Sequence, residues 1–158
     1  MRRATDTQRS WELIPYSTEA LKSDLERLRD SWRGCRKETD RDAVYGYLAA
    51  VFELVAWWTA DGRANRRACK ALRLNKIDEF SPDHVEPFAA VIRCTTKPEH
   101  VDAKTRSKWA RALRHALAKK SHAEGLKWFM KRMGGINACA SGSVRSSQTK
   151  RRYPHQDL

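Results

Sequence analysis

The segment from Ala43 to Ala60 constrains the fold most, because its only charged residue is Glu53. Acidic residues precede this segment and Gly62 follows it, which is typical of a helix. Apolar residues fall on every side of the helical wheel, so we expect this helix at the centre of a core or at the interface of a homodimer. A membrane span needs about 20 apolar residues. Because this segment is shorter and is interrupted by Glu53, we expect no membrane association.

The preceding segment has the pattern of an amphipathic helix. Leu21, Leu25, Leu28 and Trp32 recur at steps of three and four residues, which places them on one face. The helix is expected to begin at an N-cap supplied by Ser17 or Thr18 and to end at Gly34. The remaining faces carry mixed charge, which is typical of a surface helix with one buried stripe.

Two further helices are predicted in the middle of the chain. A short one follows Gly62, with Ala68 and Leu72 on its packed face, and Asn75 is expected to end it in a left-handed conformation. The next should run from about residue 86 to 93, because a proline is tolerated in a first helical turn. Its inward residues are predicted to be Phe88, Val91 and Ile92.

The last predicted helices follow Pro98. Asp102 can cap the first of these helices. The second helix should begin near Ser121 or His122 and end at the pair Gly134 and Gly135. The inward residues are predicted to be Trp109, Leu113, Ala116 and Leu117 in the first and Leu126, Phe129, Met130 and Met133 in the second.

No stretch alternates apolar and polar residues between turn signals, so no strand is predicted. The expected fold is all-α, with a single helical domain of about six helices over residues 17–140. Residues 1–16 are expected to be a flexible N-terminal segment. Residues 141–158 contain little apolar surface and are expected to be a disordered basic tail.

The formal net charge of +13 and the pI of about 10.0 point to polyanionic partners. The excess lies in two blocks: Asp61–Lys76 has six basic residues and one acid, and Val101–Arg132 has ten basic residues and two acids. In the second block a basic stripe is predicted opposite the apolar side of the helix. Such blocks have the charge pattern of a phosphate-binding surface.

We therefore predict a cytoplasmic DNA-binding protein that contacts the phosphates of double-stranded DNA through basic helices. Two segments also resemble parts of a helix-turn-helix motif, "ANRRACKALRLNKIDEFSPDHV" and "LKWFMKRMGGINACA", although a generic helical hairpin explains each as well. The predicted nucleic-acid-binding residues are Arg63, Asn65, Arg66, Arg67, Lys70, Arg73, Lys104, Arg106, Lys108, Arg111, Arg114, His115 and Lys119.

Two other functions stay open. The basic surface could bind an acidic protein, as in an inhibitor or antiactivator, or Arg111 and His115, four residues apart on one helix, could act in a small metal-independent ribonuclease. Phosphate loops, nucleophile elbows and zinc-protease motifs are missing from the sequence, so an enzyme is not expected. The four cysteines lack metal-ligand spacing, so neither a metal nor another cofactor is predicted and the thiols are expected as buried small residues.

A family resemblance is carried by the block "ELVAWWTADGRANRRACKALRLNKIDEFSPDHVEPFAAVIRCT" together with "RSKWARALRHA" and "FMKRMGGINACA". These stretches resemble uncharacterised small basic helical proteins of alphaproteobacterial plasmids and integrated mobile elements. The resemblance covers about Arg41 to Ala140 and implies a mobile-element context, with a regulator or maintenance factor as the expected role. The chain departs from that pattern after Ala140.

Overall fold

In a computed structural model, residues 16–142 form an all-helical fold with no strand in that range. Residues 1–15 and 143–158 lie outside the described residues, and with them most of the predicted flexible N-terminal segment and of the predicted disordered tail. The helices are α1 (Thr18–Lys37), α2 (Ala43–Ala60), α3 (Ala64–Leu74), α4 (Pro87–Thr95), α5 (Ala103–Lys119), α6 (Leu126–Arg132) and α7 (136–142), with a 3-10 turn at Pro82–His84.

Helix α2 lies at the centre of the core, which is one of the two arrangements that the sequence predicted. Tyr47, Leu48, Val51, Val55 and Trp58 are each 1% exposed or less, and the helix packs against α1, α3, α4, α5 and α6. Burying each large apolar side chain contributes about 1.5–3 kcal/mol. By length and composition α2 could also cross a membrane, but a core helix meets the same criteria. Packing against five neighbours accounts for its apolar character.

Helix α4 connects the two basic blocks, because α3 and α5 both pack against it. Its beginning follows the prediction: Pro87 occupies the first turn, and the Glu86 carboxylate accepts the backbone N–H groups of Phe88 and Ala89. Phe88, Val91 and Ile92 are buried as predicted. The position of α4 therefore decides how the basic faces of α3 and α5 are arranged.

Helix α1 begins at the predicted N-cap, where the Ser17 side chain accepts the N–H of Ala20. Its leucine stripe is buried, also as predicted. The predicted end at Gly34 is wrong, since the helix continues to Lys37. Gly34 lies on the outer surface, and the helix passes through it because one exposed glycine weakens a helix by only about 1 kcal/mol.

The turn after α3 differs from the prediction in one residue. Asn75 has a φ of −96°, and the left-handed residue is Lys76, with a φ of 58°. The Asn75 side chain explains the shift, because its amide donates to the carbonyl of Ala71 and its oxygen accepts from Arg29. Asn75 thus ends α3 with its side chain and leaves the backbone reversal to Lys76.

The start of α6 was predicted near Ser121, and this prediction is wrong. The helix begins at Leu126 because Lys120 Nζ donates to the carbonyls of Ser121 and Glu124, which holds the intervening residues in turns. The predicted end is confirmed by Gly134 and Gly135, which have φ of 102° and 104°. The predicted inward positions of Leu117 and Met133 are wrong, because both side chains are exposed.

Three of the four cysteines are buried, as predicted for small apolar residues, and Cys35 is partly buried. All four are free thiols. Residues 16–142 contain no cluster of three or more histidine, cysteine, aspartate or glutamate side chains that could hold a metal ion.

Candidate nucleic-acid interface

Helix α5 supplies the largest set of cations. It contains six lysines and arginines and no acid. The predicted cap is present, since the Asp102 carboxylate accepts the N–H of Thr105. Hydrogen bonds from Thr105 lower the pKa of Asp102, so the cap stays ionised at neutral pH. The one acid near the start of α5 is therefore used to hold the helix end.

The cations of α5 differ in exposure. Trp109, Leu113 and Ala116 are buried and anchor the helix, as predicted. The predicted basic stripe opposite them is only partly exposed, and α7 reaches that side of the helix at His115. Lys104, Arg114 and Lys119 are exposed, whereas Arg106, Lys108, Arg111 and His115 are partly buried.

His115 packs inside the helical domain. Its ring centre lies 6.0 Å from that of Phe129, and its Cε1 lies 3.3 Å from the position a Cβ would occupy at Gly142. Its Nε2 is shielded from solvent and has no hydrogen-bond partner in residues 16–142, and the Nε of Arg111 is shielded in the same way. In the pair suggested for a ribonuclease, Arg111 and His115, the His115 Nε2 is therefore not accessible to a substrate.

Arg67 on α3 was predicted to lie on the surface, and this prediction is wrong. Its side chain is 8% exposed and donates to Asp61 Oδ2 at 2.5 Å. Its guanidinium carbon lies 4.6 Å from the centre of the Tyr16 ring and 5.0 Å from that of Trp57. Tyr16, which the sequence placed in the flexible N-terminal segment, also donates to Asp24. Arg67 therefore stabilises the fold and is not available to a ligand.

The other predicted binding residues on α3 and at its N-cap remain accessible. Arg63, Asn65, Arg66 and Arg73 are exposed and Lys70 is partly buried. Arg73 also lies over the Phe80 ring, with its guanidinium carbon 5.8 Å from the ring centre. The predicted face of α3 is thus present without Arg67.

The two basic faces are separated by α4. Helices α3 and α5 each pack against α4 and are not packed against each other. Arg93 is the one exposed residue of α4. Sequence reasoning placed Arg93 near the end of a packed helix and overlooked it, although it is the one charged residue in the segment "PFAAVIRCT". The faces therefore form two patches with a cation on the intervening helix.

Few acids oppose these patches. Within residues 16–142 the exposed cations of α3 form no ion pair, and α5 forms one, from Arg114 to Glu86 at 3.8 Å. Burial raises the pKa of Glu86, although the N–H groups of Ala89 and Phe88 and the charge of Arg114 act in the opposite direction. Apart from Arg67 and Arg114, the lysines and arginines of α3 and α5 therefore form no ion pair within residues 16–142.

The helix-turn-helix resemblance divides into two cases. The connection from α3 to α4 spans residues 75–86, which is much longer than the three or four residues of that motif. Helices α6 and α7 are joined by Met133 and the two glycines and form a short helical pair. The first segment is therefore a long connection between packed helices.

Comparison with known protein families, characterised proteins and solved structures finds no match to this chain. The charges and packing of its own residues are therefore the basis for a functional proposal.

Proposed function

We propose that the protein binds double-stranded DNA by its phosphates, through the exposed cations of α3 and α5. The observation that carries this proposal is the charge of α5, which has six cations, no acid and a single long ion pair within residues 16–142. Each phosphate neutralised by such a cation releases bound counterions, and this release drives association.

The packing of α5 suits such a role. Trp109 lies 5.7 Å from Trp32 and 6.2 Å from Tyr47, measured between ring centres, so the helix is fixed to both α1 and α2. Partly buried side chains such as Lys108 keep an apolar stem on the protein and a charged head in water. A rigid helix that presents charged heads loses little entropy on binding.

Phosphate contacts position a protein on a duplex but carry no sequence information. Base reading needs side chains in a groove, and Asn65 and Arg66 on α3 and Arg114 on α5 are exposed candidates of suitable chemistry. A role as regulator or maintenance factor of a mobile element rests on the family resemblance alone and is part of the proposal.

The test is a titration with a duplex of mixed sequence at several salt concentrations, followed by fluorescence anisotropy. The variant is Lys104→Gln with Lys108→Gln and Lys119→Gln. Its matched control is Lys22→Gln with Arg27→Gln and Arg132→Gln, which removes three cations of α1 and α6 that are paired with acids.

We expect the α5 variant to lose at least about tenfold in affinity and about three units of salt slope, roughly one for each lost phosphate contact. The control has the same net charge and should lose less than half as much slope. Absence of duplex binding at low salt, or equal losses in both variants, contradicts the proposal. Lys108, Arg111 and His115 would be a poor set for substitution, because His115 packs against Phe129.

A protein partner is the second candidate, and exposed apolar side chains beside the cations favour it. Leu117 lies on α5 and Trp128 on α6, and Trp128 is 72% exposed. Protein interfaces are enriched in tryptophan and arginine. Capture of an acidic protein from nuclease-treated lysate, lost in Trp128→Ala and weakened in the Lys104, Lys108 and Lys119 variant, would assign this function. The homodimer, the ribonuclease and the cytoplasmic location stay predictions.

A further inference from the structure

A separate cavity of about 270 Å³ lies where α1, the end of α4 and the connection from α4 to α5 meet. Its size is slightly below the range for small-molecule sites, about 300–1,000 Å³, and is enough for a phosphate group with part of its ester. The cations on its wall are Arg29, Arg33, Arg36 and Lys97, with His100 beside them and Trp32 as its aromatic side. No acid lines it.

The charge of this cavity is only partly compensated. Arg29 pairs with Glu26 at 3.1 Å, and Arg33 pairs with both Glu26 and Asp30. Within residues 16–142, Arg36 and Lys97 form no ion pair. Arg36 and Lys97 are thus free to bind a ligand. Arg29 and Arg33 add to the electrostatic field of the cavity.

The wall is held in place by contacts between helices. Arg29 Nε donates to the Cys94 carbonyl at 3.2 Å, and its Nη2 donates to Asn75 Oδ1, so one guanidinium joins α1 to the ends of α3 and α4. Trp32 packs 5.2 Å from the Tyr47 ring. Its indole N–H is shielded and has no acceptor in residues 16–142. A ligand would therefore meet a site that is already formed.

The cationic side chains are the groups of the cavity that can donate hydrogen bonds to a ligand. Thr95 and Thr96 already donate their hydroxyls to the carbonyls of Val91 and Ile92. Burial raises the pKa of the Cys94 thiol to about 12, so it stays neutral and cancels no positive charge. A metal ion or an organic cation would be repelled, and an apolar ligand would leave the cations unpaired.

We propose that this cavity binds the phosphoryl group of a phosphomonoester between Arg36 and Lys97, with Arg29 and Arg33 behind it. Guanidinium groups match phosphate oxygens in geometry, and a dianion balances the two unpaired cations. Trp32 then lies against the esterified group, where an aromatic face can stack on a base. The ester has two sources: a free mononucleotide, or the 5′-phosphate of a nucleic-acid strand, and only the second rests on the proposed function.

The test uses the full chain and isothermal titration calorimetry with inorganic phosphate, adenosine monophosphate and adenosine. We expect saturable binding of the two phosphates and none of adenosine. Arg36→Gln and Lys97→Gln should each weaken binding by at least about tenfold, since a hydrogen bond between charged groups is lost. Lys37→Gln is the matched control, because Lys37 is adjacent on α1, exposed, and does not line the cavity.

A second arm compares duplexes that carry a 5′-phosphate or a 5′-hydroxyl. A preference for the phosphorylated duplex that disappears in Arg36→Gln assigns the strand end, and equal affinity for both assigns the free ester. Failure of inorganic phosphate and adenosine monophosphate to bind, binding of adenosine as well, or an equal loss in Lys37→Gln overturns the proposal. Failure of duplex binding through α5 is read separately from the salt titration, so the two proposals can fail independently.

Discussion

Helices α1 and α5 each carry six lysines and arginines, yet their surfaces differ. Helix α1 also has four acids, and pairs such as Arg33 with Glu26 at 3.0 Å and Arg29 with Glu26 at 3.1 Å neutralise much of its charge. Helix α5 has no acid of its own. The number of cations is therefore a poor guide to a polyanion surface, and the positions of the acids decide it.

We expect the greatest loss of stability when the contact between α1 and α5 is removed. Trp109 of α5 lies against Trp32 of α1, so Trp109→Ala should loosen both helices and lower the free energy of unfolding by roughly 3–5 kcal/mol. Urea denaturation followed by circular dichroism measures this loss. Trp128→Ala is the control, since the side chain is 72% exposed and its removal should cost less than about 0.5 kcal/mol. Similar losses in both variants would mean that α5 is not anchored at Trp109.

The next effect separates paired from unpaired cations within one helix. Arg67→Ala removes a buried partner of Asp61 and two ring contacts, so the free energy of unfolding should fall by about 2 kcal/mol. Arg66→Ala changes an exposed neighbour and should leave stability within about 0.5 kcal/mol while weakening duplex binding. The reverse pattern would place Arg67 in the interface and contradict its role in the fold.

The helix caps give a smaller effect with a distinct pH dependence. Ser17→Ala on α1 should cost about 1 kcal/mol, independent of pH between about 3 and 6. Asp102→Ala on α5 should also lower the melting temperature. The pKa of Asp102 lies below its ordinary value of 3.8, so its contribution is complete above that pH and is lost as the pH falls through the lowered pKa. The difference between wild type and Asp102→Ala should therefore shrink in acid. Thermal melts at a series of pH values check this, and a constant difference would contradict it.

Removing acids from α1, so that its cations are unpaired like those of α5, should change stability least. Glu26→Gln with Asp30→Asn frees Arg29 and Arg33, and because surface ion pairs contribute little, the melting temperature should hardly move. Duplex affinity at low salt should rise a few-fold. Lys22→Gln with Glu19→Gln is the control, since it removes an ion pair without freeing a cation. Unchanged affinity would show that the positions of the cations, rather than their pairing, limit binding.

Local signals predicted much of the fold. Ser17, Glu86 and Asp102 cap helices where the sequence placed caps or helix starts, and Gly134 and Gly135 reverse the chain where predicted. Two of the errors, at Arg67 and at the start of α6, arose where a long side chain made a contact that local sequence does not specify. Lys120 holds the turns before α6, which delays that helix.

The candidate site was predictable as a set of residue types and only partly as a surface. Arg66 and Arg67 are adjacent and equally basic in sequence, yet one is exposed and the other is enclosed by Tyr16, Trp57 and Asp61. The cation-lined cavity was not predicted at all, because Arg36 and Lys97 are distant in the chain and meet only when α1 packs beside α4.

The amino-acid sequence predicts a helical fold, a segment that is apolar on every side and becomes α2, and positive charge concentrated in two blocks. These properties follow from periodicity, caps and composition, which act within one or two turns. The tertiary structure decided which cations face water, which support the core, and that α4 separates the two basic faces. Exposure depends on neighbours supplied by other helices, and no local pattern contains that information.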